Sequence, residues 1–324
     1  MLDSCGRNIE YLRISVTDRC NLRCVYCMPE CGVENLEHKE ILTFKEIIRI
    51  VEVASQLGIR RIKITGGEPL VRKDIVNLVR RIKNIDDIEE VTMTTNGVFL
   101  GDMAESLHVA GLDCVNISLD TLNSKSFNRI TRRDCFYKVI FALKKAVDCG
   151  IKTKINCVPI AELNGNDFDD ILKIAKENPV DVRFIELMPI GFGKRYTPIS
   201  NVKLFEHIEQ HFGELKPSKI KHGNGPALYY NLSGFKGSIG FISAISDEFC
   251  ETCNRIRLTS DGNLKLCLHY NKGVALKQLL RNGISKEQLK TVIGNAIYNK
   301  PSHHEFNSSY KENIELRNMV QIGG

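Results

Sequence analysis

Cys20, Cys24 and Cys27 lie within the eight-residue run Cys20-Asn21-Leu22-Arg23-Cys24-Val25-Tyr26-Cys27, a C-x3-C-x2-C spacing. Thiolates are soft donors that suit zinc or iron–sulfur clusters. A structural zinc site or an ordinary 4Fe–4S cluster takes four protein ligands. Here the local count is three, and Cys31 is the one further cysteine at short spacing. Three thiolates leave one iron of a 4Fe–4S cube open to a small molecule. The competing reading is a zinc loop completed by Cys31 or by a distant histidine. A second set repeats the count: Cys250, Cys253 and, thirteen intervening residues later, Cys267. It reads as another 4Fe–4S site with an open iron. Alternatively it is a zinc ribbon short of one ligand, or a half-site completed by His269.

Basic residues accompany both sets. Arg255 and Arg257 flank Ile256 just after Cys253, so in an extended segment both guanidiniums point the same way. Such a pair suits phosphate, against the bland alternative of a solvated charged strand. Arg13, Lys63, Lys154 and Arg183 fall inside apolar runs that read as strands of a buried parallel sheet, where unpaired charge is rare. A positive barrel lumen for an anionic substrate explains all four; the alternative is that one or two face outward and pair with acids. The turn Gly66-Gly67-Glu68-Pro69 offers close backbone approach and a carboxylate able to accept from an ammonium.

The elements that must position these groups alternate. Strands are expected at 11–17, 61–65, 90–95, 113–119, 153–159 and 180–188. Helices are expected from Thr43-Phe44 to Gly58 and over 74–85, 102–110, 136–149, 167–177 and 202–212. Thr43 with Glu46 forms a capping box, and Gly58 closes that first helix. Six βα units in about 210 residues imply parallel strands, right-handed crossovers and an open, partial barrel rather than a closed one of eight. The polar residues gather at the strand ends: Gly66–Pro69, Thr94–Gly97, Ser118–Asp120 and Glu186–Met188. In parallel barrels that end carries the active site. From about residue 216 Gly, Pro and Ser become frequent. Short β runs follow at 227–232 and 237–243, then helices at 274–282 and 286–299. The expected division is 1–215 for the barrel and 216–324 for a smaller α+β region holding the second cysteine set.

Composition bounds the class. Hydrophobic residues make up 43% and charged residues 26%, an ordinary globular balance. No apolar run reaches membrane-spanning length, and Met1-Leu2-Asp3-Ser4-Cys5 opens no signal peptide, so the expected location is the cytoplasm. Twelve cysteines in that compartment argue for metal or redox work rather than disulfides. A net charge of +6 biases the surface toward anionic ligands but, without basic blocks or aromatic–basic repeats, excludes a nucleic-acid binder.

The C-x3-C-x2-C run followed by Gly66-Gly67-Glu68 resembles the radical S-adenosylmethionine (SAM) enzymes. In them the open iron chelates the amino and carboxylate groups of SAM, and the glycine-rich turn holds the methionyl amino group. Over nearly the whole chain the sequence resembles the GTP 3′,8-cyclase family of molybdenum cofactor biosynthesis. The matching segments include Leu12–Cys20, Cys27–Pro29, Ile64–Leu70, Thr94–Gly97, Asn116–Asp120, Arg183–Pro189, Phe249–Arg257 and the terminal Gly323-Gly324, which in the family reaches into the active site.

The resemblance implies a partial (β/α)6 radical SAM barrel. In it Cys20, Cys24 and Cys27 hold the SAM cluster, and Tyr26, Gly67, Ser118 and Met188 line the SAM site. Arg13, Lys63, Thr94, Lys154, Arg255 and Arg257 contact GTP. Cys250, Cys253 and Cys267 hold a second 4Fe–4S cluster whose open iron meets the guanine. Also implied are a lyase reaction, a reductant protein such as flavodoxin, a downstream cyclic pyranopterin monophosphate synthase and a homodimer. Two positions depart from the family: Lys63, commonly Arg, and Leu228, often basic. Cys5, Cys31, Cys114, Cys135, Cys149 and Cys157 match no family ligand and read as small apolar or incidental residues. The runner-up is a twin-cluster radical SAM enzyme that modifies a peptide. A zinc-stabilised, non-catalytic binding module is the third reading.

Overall fold

The structure is a computed structural model that describes residues 1–246, 249–306 and 314–323. Its frame is six parallel strands in sequence order: β1 (Tyr11–Ser15), β2 (Arg61–Thr65), β3 (Glu90–Thr95), β4 (Cys114–Ser118), β5 (Lys152–Cys157) and β6 (Asp181–Ile185). Between them run α1 (Phe44–Gln56), α2 (Ile75–Lys83), α3 (Leu100–Val109), α4 (Ser124–Thr131), α5 (Phe136–Asp148), α6 (Ala161–Asn164) and α7 (Phe168–Glu177), with α8 (Asn201–Phe212) after β6. The expected strands and helices are present, shifted by at most a few residues at their ends. The eight-residue α4 was not expected: it buries only Phe127, Ile130 and Thr131, too few for a periodic signal, and starts because Asn123 accepts from Lys125 N and Ser126 N. The capping box at Thr43 forms as read, and Gly58 follows α1 at φ +94°.

The strand sequences alternate two kinds of residue, and the sheet curls accordingly. Leu12, Ile14, Ile62, Ile64, Val91, Met93, Val115, Ile117, Ile155, Val182 and Phe184 face the helices and are buried in one continuous core. Two residues apart, on the opposite face, stand Arg13, Lys63, Thr92, Thr94, Asn116, Ser118, Lys154, Asn156 and Arg183. The lumen is therefore polar by sequence alternation, while the outer layer supplies most of the hydrophobic stabilisation.

The later residues extend both edges of this sheet. β10 (Arg255–Leu258) runs parallel beside β1, with Arg13 opposite Arg257, and continues antiparallel into β11 (Asn263–Lys265) and β12 (Gly273–Ala275). On the other edge β9 (Ile239–Ile242) runs parallel beside β6, followed by antiparallel β8 (Leu228–Asn231) and β7 (Lys216–Pro217). Among the described residues the result is one open sheet of twelve strands. α9 (Leu276–Arg281) packs beside β11 and α10 (Lys286–Tyr298) beside α1, and the short α11 (Met319–Ile322) lies near the end of the described chain. No helix among the described residues is long and apolar enough to cross a membrane.

Candidate active site

The first cysteine loop leaves the end of β1 and is pinned from three sides. Gly67 N donates to Thr17 O (2.7 Å) and Glu68 N to Arg19 O (2.8 Å), tying the glycine turn after β2 to the loop. A side chain at Gly67 would put its Cβ 2.3 Å from Arg19 O, so this contact requires glycine. From behind, Arg23 N and Val25 N donate to Thr131 O and Ile130 O at the end of α4. Arg132, at φ +55°, donates to the carbonyls of Arg23 (3.1 Å) and Met28 (3.3 Å). From the β4 side, Tyr26 donates its hydroxyl to Asp120 at 2.7 Å. Asp120 is buried, which raises its carboxyl to about 6 despite bonds from Val158 N and Tyr26. The Glu68 carboxylate, open to an ammonium in the sequence reading, instead accepts from Thr95 Oγ1, Asn96 N and Leu70 N. Burial raises it to about 7. It holds the β2 and β3 turns together.

The second cysteine loop precedes β10 and is held by a residue the sequence did not single out. Arg7, buried and paired with Asp3 at 2.6 Å, donates to the carbonyls of Cys250 (2.9 Å), Lys300, Pro301 and Ser302. The full guanidinium fork thus fixes the loop against the segment after α10. No local sequence pattern could have shown this, because the carbonyls it holds lie more than 240 residues away.

Both cysteine triplets line a single cavity of about 350 Å³ at the C-terminal ends of the strands. Tyr26, Gly67, Ser118 and Met188 line it too, as do Arg13, Thr94, Arg255 and Arg257. Beneath lies a smaller chamber of about 100 Å³, which shares Arg13, Thr94, Asn156 and Arg255 with the upper one and adds Lys63, Lys154 and Arg183. All four strand cations therefore face the lumen, and none is turned to the helices. Leu228 is exposed and lines neither chamber; Cys114 lines the lower one, and the other five unassigned cysteines line neither.

The electrostatics divide along the lumen axis. Burial pushes the Cys20 thiol up to about 11 and Cys27 to about 12, and raises Cys24 well above its ordinary value. Cys20 Sγ nonetheless accepts from two N–H donors, Leu22 N at 3.4 Å and Asn96 Nδ2 at 3.8 Å. Burial also opposes ionisation of Cys253, but Arg255 and Lys300 beside it outweigh this and bring it down to about 7. Below, like charges crowd. Burial, then Arg183, Arg13 and Lys154, hold the Lys63 ammonium well below its usual range. Arg13, which lines both chambers, falls to about 10, and Arg257, in the upper one, to about 9, chiefly through burial. Lys154 pairs with Asp181 at 3.4 Å, and Arg183 Nε donates to the neutral Asn156 at 2.9 Å.

The chain's end enters the same mouth. Arg257 Nη1 donates to Gly323 O at 3.3 Å, and a Cβ at Gly323 would lie 2.7 Å from Ser15 Cβ at the end of β1. Gly324 lies outside the described residues.

The donor sets fit iron–sulfur groups better than bare ions. Among the described residues no three His, Cys, Asp or Glu side chains are drawn together to grip a single metal ion. Each triplet instead offers three soft donors around a shared cavity, with charge-stabilising N–H groups or cations at their sulfurs. His269 lines that cavity but converges with no triplet.

Comparison with known proteins places the chain among relatives. Residues 14–175 match the Radical SAM superfamily and residues 180–306 match Molybdenum Cofactor Synthesis C. A GTP 3′,8-cyclase of Clostridium perfringens (strain 13 / Type A) is 46% identical over 324 residues, covering all of both chains. One of Desulforamulus reducens is 47% identical over 328 residues, also covering all of both chains. Among solved structures, SuiB of Streptococcus suis bound to S-adenosylmethionine superposes with a TM-score of 0.62 at 17% identity, covering 94% of this chain and 69% of that one. That likeness concerns the fold.

Proposed function

This chain belongs to the GTP 3′,8-cyclase family of the radical SAM superfamily, and from that premise we propose how its residues act on GTP. The reaction is the SAM-dependent radical cyclisation of GTP to (8S)-3′,8-cyclo-7,8-dihydroguanosine 5′-triphosphate, the first step of molybdenum cofactor biosynthesis. We class it as a lyase. When bound at Cys20, Cys24 and Cys27, a 4Fe–4S cluster with SAM supplies the 5′-deoxyadenosyl radical that removes the ribose 3′ hydrogen.

The protein's own part is to hold, orient and exclude water. Tyr26, Gly67, Ser118 and Met188 would cradle SAM. Tyr26 is already fixed by Asp120, so that wall of the site needs little reordering. Arg13, Lys63, Thr94, Lys154, Arg255 and Arg257 would bind GTP with the triphosphate downward. The single observation carrying this orientation is the make-up of the lumen: both cysteine triplets line the upper cavity, while Lys63, Lys154 and Arg183 join Arg13 and Arg255 around the lower one. A triphosphate carries about one negative charge per phosphate and nearly two on its terminal group, which answers those cations. Cys250, Cys253 and Cys267 would hold a second 4Fe–4S cluster, with the guanine resting against its open side. With both ends of the nucleotide held, the ribose is confined between them, within reach of the SAM site.

The same reading includes a reductant protein such as flavodoxin, a downstream cyclic pyranopterin monophosphate synthase, a homodimer, and the division into residues 1–215 and 216–324. The test is anaerobic. Protein reconstituted with iron and sulfide is given SAM, GTP and dithionite, and small molecules are read by mass spectrometry. The expected products are 5′-deoxyadenosine and a SAM-dependent isomer of GTP. 5′-Deoxyadenosine with GTP untouched would move the substrate to a peptide; colourless protein carrying zinc would overturn the cluster reading itself.

A further inference from the structure

The floor of the lumen is closed by a loop that no motif foretold. Residues 218–227, between β7 and β8, run without regular structure beneath the starting ends of β3, β5 and β6. Each of those strands holds the loop once. Asn224 Nδ2 donates to Glu90 Oε2 at the head of β3 (2.7 Å). His222 Nδ1 lies 3.0 Å from Asp181 Oδ2 at the head of β6. The carbonyl of His222 accepts from Lys154 Nζ of β5. His222 is fixed further by Ser218 Oγ, 2.9 Å from Nε2, and by the Tyr229 ring stacked on it at 4.2 Å. Gly223 has φ +152°, and a Cβ there would stand 3.6 Å from Lys154 Nζ, so the backbone passes directly beside the ammonium.

We propose that this loop gauges the length of the phosphate chain, with His222 and Asn224 as its positioning residues. The inference rests on GTP being the substrate. The lower chamber is small, about 100 Å³, and among its charged lining residues the cations Arg13, Lys63, Lys154, Arg183 and Arg255 outnumber the carboxylate of Glu90, which Asn224 holds. The anionic end of a ligand therefore points down, and what lies beyond Lys154 is the loop. Lys154 cannot follow a shorter chain upward without giving up Asp181, Tyr229 and the His222 carbonyl. A chain one phosphate longer must displace the loop, breaking the bonds of Asn224 or His222. Both errors leave buried polar groups without partners, the arrangement that yields strong discrimination.

The experiment measures anaerobic equilibrium binding of GDP, GTP and guanosine 5′-tetraphosphate to the reconstituted protein, to Asn224→Ala and to His222→Ala. Asn224 sits at the loop tip and its loss leaves the sheet untouched, so that variant stays interpretable if His222→Ala folds poorly. The native protein is expected to favour GTP over the tetraphosphate by about tenfold or more, and each variant to narrow this to about threefold or less by gaining tetraphosphate affinity. A loop with a merely structural role would weaken all three nucleotides in parallel; an unchanged ratio overturns the gauge. Equal native affinity for GTP and the tetraphosphate overturns it as well. If the native protein binds no guanine nucleotide, the GTP reading itself fails, and the gauge with it.

Discussion

Arg257 sits among like charges: burial first, then Arg13 and Arg255, bring its guanidinium down to about 9, with Cys267 and Cys253 in opposition. Such crowding costs free energy in the empty protein and is relieved by an anion. Arg257→Ala should therefore keep its iron but bind GTP about ten- to a hundredfold more weakly, the value of a charge-assisted hydrogen bond to phosphate. Titration calorimetry decides it; normal affinity would leave Arg257 with only the Gly323 carbonyl to hold. Cys24→Ser should lose about half of roughly eight irons per chain and all SAM cleavage, whereas Cys157→Ser, buried at the end of β5 and outside the cavity lining, should keep both. Iron analysis beside a 5′-deoxyadenosine assay checks the pair. At this scale the site's ligands were legible, because three-cysteine spacing and Arg-x-Arg are local patterns. Arg7 and Arg132 were not, because each acts on carbonyls of segments distant in sequence.

Elements turn these residues into a site. The tail bearing α11 is anchored by Glu315, whose carboxylate pairs with the fully buried Lys265 of β11 and with Arg317 at 3.0 Å. Burial raises the Glu315 carboxyl, but the Arg317 and Lys265 bonds outweigh it and bring it to about 2. A carboxyl depressed in the folded state adds stability that is complete above its ordinary unfolded range. That stability is lost as pH falls from there through about 2. Acid should therefore release the tail, visible as faster limited proteolysis near residues 314–318 before global unfolding. Glu315→Gln should release it already at neutral pH and cost about 3 kcal/mol, because a buried ammonium is left without its carboxylate. Equal proteolysis of Glu315→Gln and the native chain at pH 7 would remove the anchor from this account.

Over the whole molecule, the strands after residue 216 lengthen the barrel sheet at both edges, and the two cysteine triplets line one cavity. The join between β6 and β9 depends on Phe184, fully buried, edge-on to Phe168 at 5.8 Å and tilted on Phe241 at 6.0 Å. Phe184→Ala should cost about 3–5 kcal/mol, read from a denaturant midpoint. A loss below about 1 kcal/mol would mean the seam is held by its backbone ladder alone.

By itself the sequence determined the alternation of strands and helices, the capped first helix, the polar lumen face and both cysteine triplets. Each is written in periods of two, periods of 3.6 or fixed short spacings that a single segment can satisfy. Only the tertiary structure decided that β10 lies beside β1, which sets Arg257 opposite Arg13. It alone brought Arg7 to the second cysteine loop and Glu68 to its neighbouring turn rather than to the cavity. It also laid residues 218–227 under the lumen. Those outcomes depend on partners tens to hundreds of residues apart, chosen by how the apolar faces pack and which buried polar groups then need satisfying. No local pattern carries that information.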